Sequence, residues 1–117
     1  MRNDHSKDPI IQNSIEFSLM VIKYAEQLES NKKHIFAAEI LKSGTSIGAH
    51  IMDAQSSESM DEVMQKMKLA DNAAHQTWYW FYLCEQMEGY GFTKELSVKL
   101  DEVMQQLHTA MLSGKRP

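Results

Sequence analysis

One cysteine, two prolines and five glycines are all that this 117-residue sequence offers of the residues that staple or interrupt a chain. A lone thiol, Cys84, has no partner for an internal disulfide, which excludes the cross-linked framework of small secreted domains. The prolines stand only at Pro9 and Pro117, so none breaks the long middle of the chain. No apolar run reaches the roughly 18 residues that a membrane span requires. The first eight residues, Met1 to Asp8, are polar and lack the apolar centre of a signal peptide. A cytoplasmic location is the expectation from these absences. Positive charge is also scarce, with 12 Lys and Arg against 16 Asp and Glu, for a net charge of −4. A domain built around nucleic acid usually carries basic excess, so only a local basic patch remains open.

What the sequence does have is apolar residues, 43% of the total, recurring at intervals of three and four. That is the period of amphipathic helices, and no alternating β-branched run competes with it. The first helix is expected over about 9–30, with Asp8 and Pro9 suited to its N-cap and first turn. Its stripe is Phe17, Val21, Tyr24 and Leu28, widened by Ile11, Ile15 and Ile22. The second helix is expected over about 33–55, with Phe36, Ile40, Gly44, Ile47, Ile51 and Ala54 in register. Ser59 and Glu62 match a capping box at the start of the third helix, about 59–88. Its seam runs through Met60, Val63, Met67, Ala70, Ala74, Thr77, Phe81 and Cys84. Gly89 and Gly91 are expected to stop it. Thr93 is expected to cap a fourth helix over about 93–113, with Leu96, Leu100, Val103, Leu107 and Ala110 facing inward. Tails at 1–8 and 114–117 are expected to be flexible. Four such helices with short connections form a single domain of the all-α class, an antiparallel up-down-up-down four-helix bundle.

Several motifs invite a functional reading. Ser43-Gly44-Thr45-Ser46-Ile47-Gly48 has the small residues of a phosphate loop, but lacks its following lysine and its preceding strand. Gly44 and Gly48 lie one helical turn apart, and each costs about 1 kcal/mol against alanine. Close packing of another backbone is the expected return, within the bundle or between subunits. Ile47 and Ile51 share that face. His50 with Asp53, and Asp71 with His75, have helical spacing for two metal ligands each. No Glu-x-x-His is present, so no di-metal core site, no metal and no cofactor are expected. Cys84 lies on an apolar seam far from a helix N-terminus, the position of a structural rather than a nucleophilic thiol. No catalytic residue and no small-molecule substrate emerge.

Trp78-Tyr79-Trp80-Phe81-Tyr82 is the densest feature. Successive helical residues turn by about 100°, so five consecutive aromatics cannot all face one core. Phe81 and Trp78 are expected inside, which leaves Tyr79, Trp80 and Tyr82 to supply a partner surface. The basic residues Lys32, Lys33, His34 and Lys42, with Lys66 and Lys68, are the candidates for phosphate contact.

The stretch from Ile40 to Leu83 resembles the 23S rRNA intervening-sequence protein family. The resemblance rests on Leu41-Lys42-Ser43-Gly44-Thr45-Ser46-Ile47-Gly48-Ala49-His50-Ile51, followed by Asp53-Ala54. Further on it rests on Lys66-Met67-Lys68-Leu69-Ala70 and Tyr79-Trp80. His50 stands where the family usually has asparagine, and Asn72, Ala73 and Gln76 replace a charged stretch. The resemblance implies a four-helix bundle assembled as a homopentameric ring, with no catalytic residues to carry over. It also implies kinship with a retroelement accessory protein that binds nucleic acid through a basic surface. Two functions follow as expectations. One is a non-enzymatic oligomer with a nucleic-acid or ribonucleoprotein partner. The other is a protein-interaction adaptor that uses the aromatic and Met surface of the third helix.

Overall fold

A computed structural model describes residues 8–114. Four helices follow one another: α1 Pro9–Ser30, α2 His34–Ser56, α3 Met60–Gln86 and α4 Lys94–Ser113. They pack as an antiparallel up-down-up-down bundle in which α1 meets α2, α2 meets α3, α3 meets α4, and α4 returns to α1. The α1–α2 and α3–α4 loops therefore share one end of the bundle. The expected tails lie outside the described residues, apart from Asp8 and Gly114, which sit at the ends of α1 and α4.

Each stripe read from the sequence becomes one wall of a single core. Phe17, Val21, Tyr24 and Leu28 of α1 meet Ile40, Ile47, Ile51 and Ala54 of α2. Val63, Met67, Ala70, Ala74, Phe81 and Cys84 of α3, and Leu96, Leu100, Val103 and Leu107 of α4, complete it. The stripe is narrower than expected in places. Ile11 is buried, but Ile15 and Ile22 are exposed, as is Met60 in the first turn of α3. Ala110 is half-buried at the edge of the core.

Caps differ in detail from expectation. Asp8 and Thr93 take extended N-cap backbone positions, but neither side chain makes the cap hydrogen bond. Ser59 does: its Oγ accepts from the Glu62 N–H at 3.2 Å. The return half of the box is changed, because the Ser59 hydroxyl donates to Glu62 Oε1 at 3.5 Å. α3 stops two residues short of position 88. Met87 turns extended (φ −102°, ψ 128°), and Gly89 makes the turn at φ 82°. In the α1–α2 loop, Lys32 adopts φ 64°, a left-handed conformation uncommon for a lysine.

The helices are not equally held. α2 lies against both α1 and α3 extensively, whereas α4 meets its two neighbours more lightly. Polar bonds rim the α4 contacts. Lys99 Nζ donates to Asn13 Oδ1 at 3.0 Å and pairs with Glu16 at 2.7 Å. Asn13 Nδ2 donates to Gln106 Oε1 at 3.0 Å. On the other side, His108 Nε2 meets Asp71 Oδ1 at 2.8 Å.

Candidate functional site

The small-residue motif of α2 is a packing device. A Cβ on Gly44 would lie 2.7 Å and 2.8 Å from the two methyls of Val21, which is fully buried on α1. A Cβ on Gly48 would lie 3.3 Å from Ser18 Oγ and 3.5 Å from Ser14 Oγ. Both glycines thus let α1 approach α2 inside one chain. Ile47 and Ile51 are fully buried in the same core. Two of the motif's three hydroxyls are turned back on their own helix, and the third, Ser43 Oγ, is buried. Thr45 Oγ1 donates to Leu41 O and Ser46 Oγ to Lys42 O, both at 2.6 Å, and so bond back to their own helix.

The aromatic run divides differently from expectation. Phe81 points inward with 2% of its surface exposed, but Trp78 is 50% exposed. The inward seam passes through Thr77 and Phe81, and Trp78 falls on its flank. Trp80 is the half-buried tryptophan, because Phe36 of α2 gives it an edge-on partner at 5.2 Å. Trp78 and Tyr82, one turn apart, stack at 5.6 Å with rings only 15° from parallel, and both are exposed. Trp78 lies seven residues after Asp71, whose carboxylate faces α4, so this stacked pair borders the α3–α4 side. Tyr79 is exposed beside Trp80.

A second apolar surface, of which the sequence stripe assigned Ile22 to the core, lies on the α1–α2 side. Ile22, Ala25, Ala37, Ala38 and Leu41 line a groove there of about 350 Å³, with Glu26 and Glu29 at its edge. The square order of the helices puts this groove on the side opposite the Trp78–Tyr82 pair.

The basic residues do not form one patch. Lys32 and Lys33 sit in the α1–α2 loop at the bundle end. Lys42 lies about 13 Å further along α2 and is exposed. Lys66 and Lys68, two residues apart, point roughly 160° away from one another on α3. What gathers around Lys33 is aromatic. Its Nζ lies 5.0 Å above the Tyr90 ring, and Phe36 meets Tyr90 edge-on at 5.0 Å. The loop carrying Tyr90 is pinned by a 2.7 Å hydrogen bond from the Tyr24 hydroxyl to the Tyr90 carbonyl. Neither Tyr24 nor Tyr90 stands out in the sequence as part of a site, since their meeting depends on which loops share an end.

The candidate metal pairs resolve likewise. His75 Nδ1 bonds to the Asp71 carbonyl oxygen at 2.9 Å, and the Asp71 carboxylate takes His108 as its close partner. His108 was invisible to spacing because it lies on another helix. Among the described residues, no group of three His, Cys, Asp or Glu side chains is arranged to hold a metal ion. Nor is any helix among them long and apolar enough to cross a membrane. The Nδ1 of His50 is buried without a hydrogen-bond partner.

Cys84 is buried, and burial pushes its thiol above the ordinary 9.0, against a smaller opposing effect of Tyr24. A raised thiol is the opposite of an activated nucleophile. Burial also raises the Tyr24 phenol far above its ordinary 10.0, with Cys84 beside it adding to the shift. Both groups keep their protons in the folded chain at pH values where the unfolded chain has lost them. Above about pH 9 the unfolded state binds fewer protons, so stability falls as pH rises. The unfolding free energy from urea titration is therefore expected to hold steady up to about pH 8.5 and fall by up to ~1.4 kcal/mol per pH unit per group above it. Tyr24→Phe should flatten the decline above about pH 10; an equally steep decline in that variant would refute the assignment.

Comparison with known proteins agrees with this architecture. The profile of a family described as 23S rRNA-intervening sequence protein matches residues 7–109. The crystal structure of a protein of unknown function from the S23 ribosomal protein family of Bacteroides thetaiotaomicron VPI-5482 superposes with a TM-score of 0.79. It is 25% identical, and the alignment covers 87% of this chain and 97% of that one. No curated protein matches the sequence. The profile runs through the glycine-bearing helix, the aromatic helix and most of α4, and on that span the chain belongs to the 23S rRNA-intervening sequence protein family.

Proposed function

We propose that this chain is a non-enzymatic building block that joins copies of itself head to tail into a closed ring. The observation that carries this reading is the pair of unlike apolar surfaces on opposite sides of one bundle: the Ile22–Leu41 groove and the Trp78–Tyr82 stack. Two different surfaces favour heterologous contacts, which generate rings when the rotation closes, whereas a two-fold dimer would need one surface that matches itself. Five subunits is the ring size that the family resemblance implies. The ring's partner in this reading is a nucleic acid or a ribonucleoprotein, in keeping with a family defined by an rRNA insertion.

Light scattering at tens of micromolar is expected to give a mass several times that of one chain. Trp78→Glu is expected to reduce it to a monomer that keeps its helical circular dichroism. A monomeric wild type would refute the ring. Filter binding with single-stranded RNA at low salt tests the partner, and true phosphate contacts should weaken steeply as salt is raised. A second reading has its own support in the net charge of −4 and the scattering of Lys42, Lys66 and Lys68 over separate faces. It is a protein-interaction adaptor, in which the exposed aromatics hold another protein and RNA affinity is absent.

A further inference from the structure

At the end of the bundle where the α1–α2 and α3–α4 loops meet, Lys32, Lys33, His34, Ile35, Phe36 and Tyr90 line an open cavity of about 380 Å³. We propose that this cavity binds a nucleoside phosphate, with the phosphate held by Lys32 and Lys33 and the base laid against Tyr90 and Ile35.

The wall chemistry selects that ligand. Three of the six lining side chains are basic, and none is a carboxylate. Three other cavities of the bundle each carry acid in their walls: Asp8 and Glu102 in one, Glu26 and Glu29 in the second, Glu95 in the third. Glu29, which reaches this end of the bundle, is engaged by His34 Nδ1 at 2.6 Å. An anion entering here meets ammonium groups first. The remaining wall is apolar and aromatic, which a bare inorganic anion would leave unused. Ile35 is 74% exposed, an unpartnered isoleucine at the rim. The Lys33 ammonium rests 5.0 Å above the Tyr90 ring, so it holds the place a flat base would take. Transfer of Lys33 from ring to phosphate would open that face as the ligand arrives. Base stacking on an aromatic ring and ammonium–phosphate pairing are the ordinary terms of nucleotide recognition.

The floor is rigid. Tyr90 is fixed through its carbonyl by Tyr24, and its ring is backed by Phe36, which is backed in turn by Trp80. The volume lies near the lower end of small-molecule sites, which suits one nucleotide rather than a dinucleotide. The nucleotide has two sources, a free mononucleotide or one unit of a strand. In the second case the proposal rests on the nucleic-acid partner proposed above; in the first it stands alone.

The test is a titration of the full chain, followed by amide NMR shifts, with AMP, inorganic phosphate, a ten-residue oligo(A) RNA and a ten-residue oligo-glutamate. AMP is expected to shift amides of residues 32–36 and 88–91, and inorganic phosphate to bind at least tenfold more weakly. Lys32→Gly and Tyr90→Ala should each weaken AMP at least tenfold. Glycine adopts φ 64° without a side-chain penalty, so Lys32→Gly should keep or raise the melting temperature, and its loss of binding cannot be blamed on unfolding. AMP binding unchanged in both variants overturns the site. Oligo(A) binding that ignores both variants also overturns the site but leaves a nucleic-acid partner intact. AMP binding without oligo(A) binding supports the pocket and counts against the nucleic-acid partner. Failure of both AMP and oligo(A) overturns pocket and partner alike, and tighter oligo-glutamate binding at these residues overturns the nucleotide in favour of an acidic peptide.

Discussion

Phe81→Ala is expected to destabilise the chain by about 4 kcal/mol, which is a large part of what a domain of this size possesses. Phe81 is almost fully buried and touches rings from two other parts of the chain. Phe17 lies 6.1 Å away and Tyr24 6.3 Å away on α1, and Phe92 lies 5.2 Å away in the α3–α4 loop. Alanine would remove the burial of the ring, leave a cavity, and break three ring contacts worth ~0.5–1.5 kcal/mol each. The neighbours cannot collapse into the gap easily. Phe17 is packed on every side, and Tyr24 is tied to the Tyr90 carbonyl. Urea unfolding of Phe81→Ala beside Trp78→Ala is the measurement. Three residues away and half-exposed, Trp78 should cost under about 1 kcal/mol in a monomeric background. If the two variants lose similar stability, the division of the aromatic run into core and surface is wrong.

The second large effect is a change of sign. Gly44→Ala should cost about 1–2 kcal/mol, because overpacking against the stiff, buried Val21 outweighs the ~1 kcal/mol gained by replacing a mid-helix glycine. In a Val21→Ala background the obstructing methyls are gone. The same Gly44→Ala change should there stabilise by about 0.5–1 kcal/mol, giving a coupling of roughly 2 kcal/mol between the two positions. Gly44→Leu should cost ~3 kcal/mol or more in the wild type. Gly48 is the internal control. Its would-be Cβ meets Ser18 Oγ at 3.3 Å, slightly tighter than ordinary contact, but the obstacle is a hydroxyl that can rotate away. Gly48→Ala should be neutral or mildly stabilising. A double-mutant cycle without coupling at Gly44 and Val21 would show that α1 and α2 do not meet there as described.

Much of the fold is legible in the sequence because a helix is a local object. The stripes of α1 to α4, the Ser59 cap and the glycines beyond α3 are all set by residues within a few turns of each other. The inward Phe81 and the buried Cys84 follow from the same period. What spacing does not carry is the rotation of one helix against the next. Trp78 and Trp80 sit either side of the Phe81 seam, and only the arrival of Phe36 from α2 decides which of them is covered. Ile15 and Ile22 read as core by type, yet both lie well over 100° round α1 from Phe17 and are exposed. The Asp71–His108 bond and the Tyr24–Tyr90 bond join residues 37 and 66 positions apart. Of the five candidate lysines, only Lys32 and Lys33 share a surface, because two adjacent loop residues need no tertiary luck to do so.

The light hold on α4 has a consequence for how the molecule comes into being. α1, α2 and α3 share the widest contacts, one of them tightened by glycine, while α4 adds Leu96, Leu100, Val103 and Leu107 to the core and is strapped along its edges by Lys99, Asn13, Gln106 and His108. It also leaves the ribosome after the other three, since a chain is made from its N-terminus. The order of synthesis and the extent of attachment therefore coincide: the three helices with the widest contacts emerge first, and the helix held most lightly emerges after them.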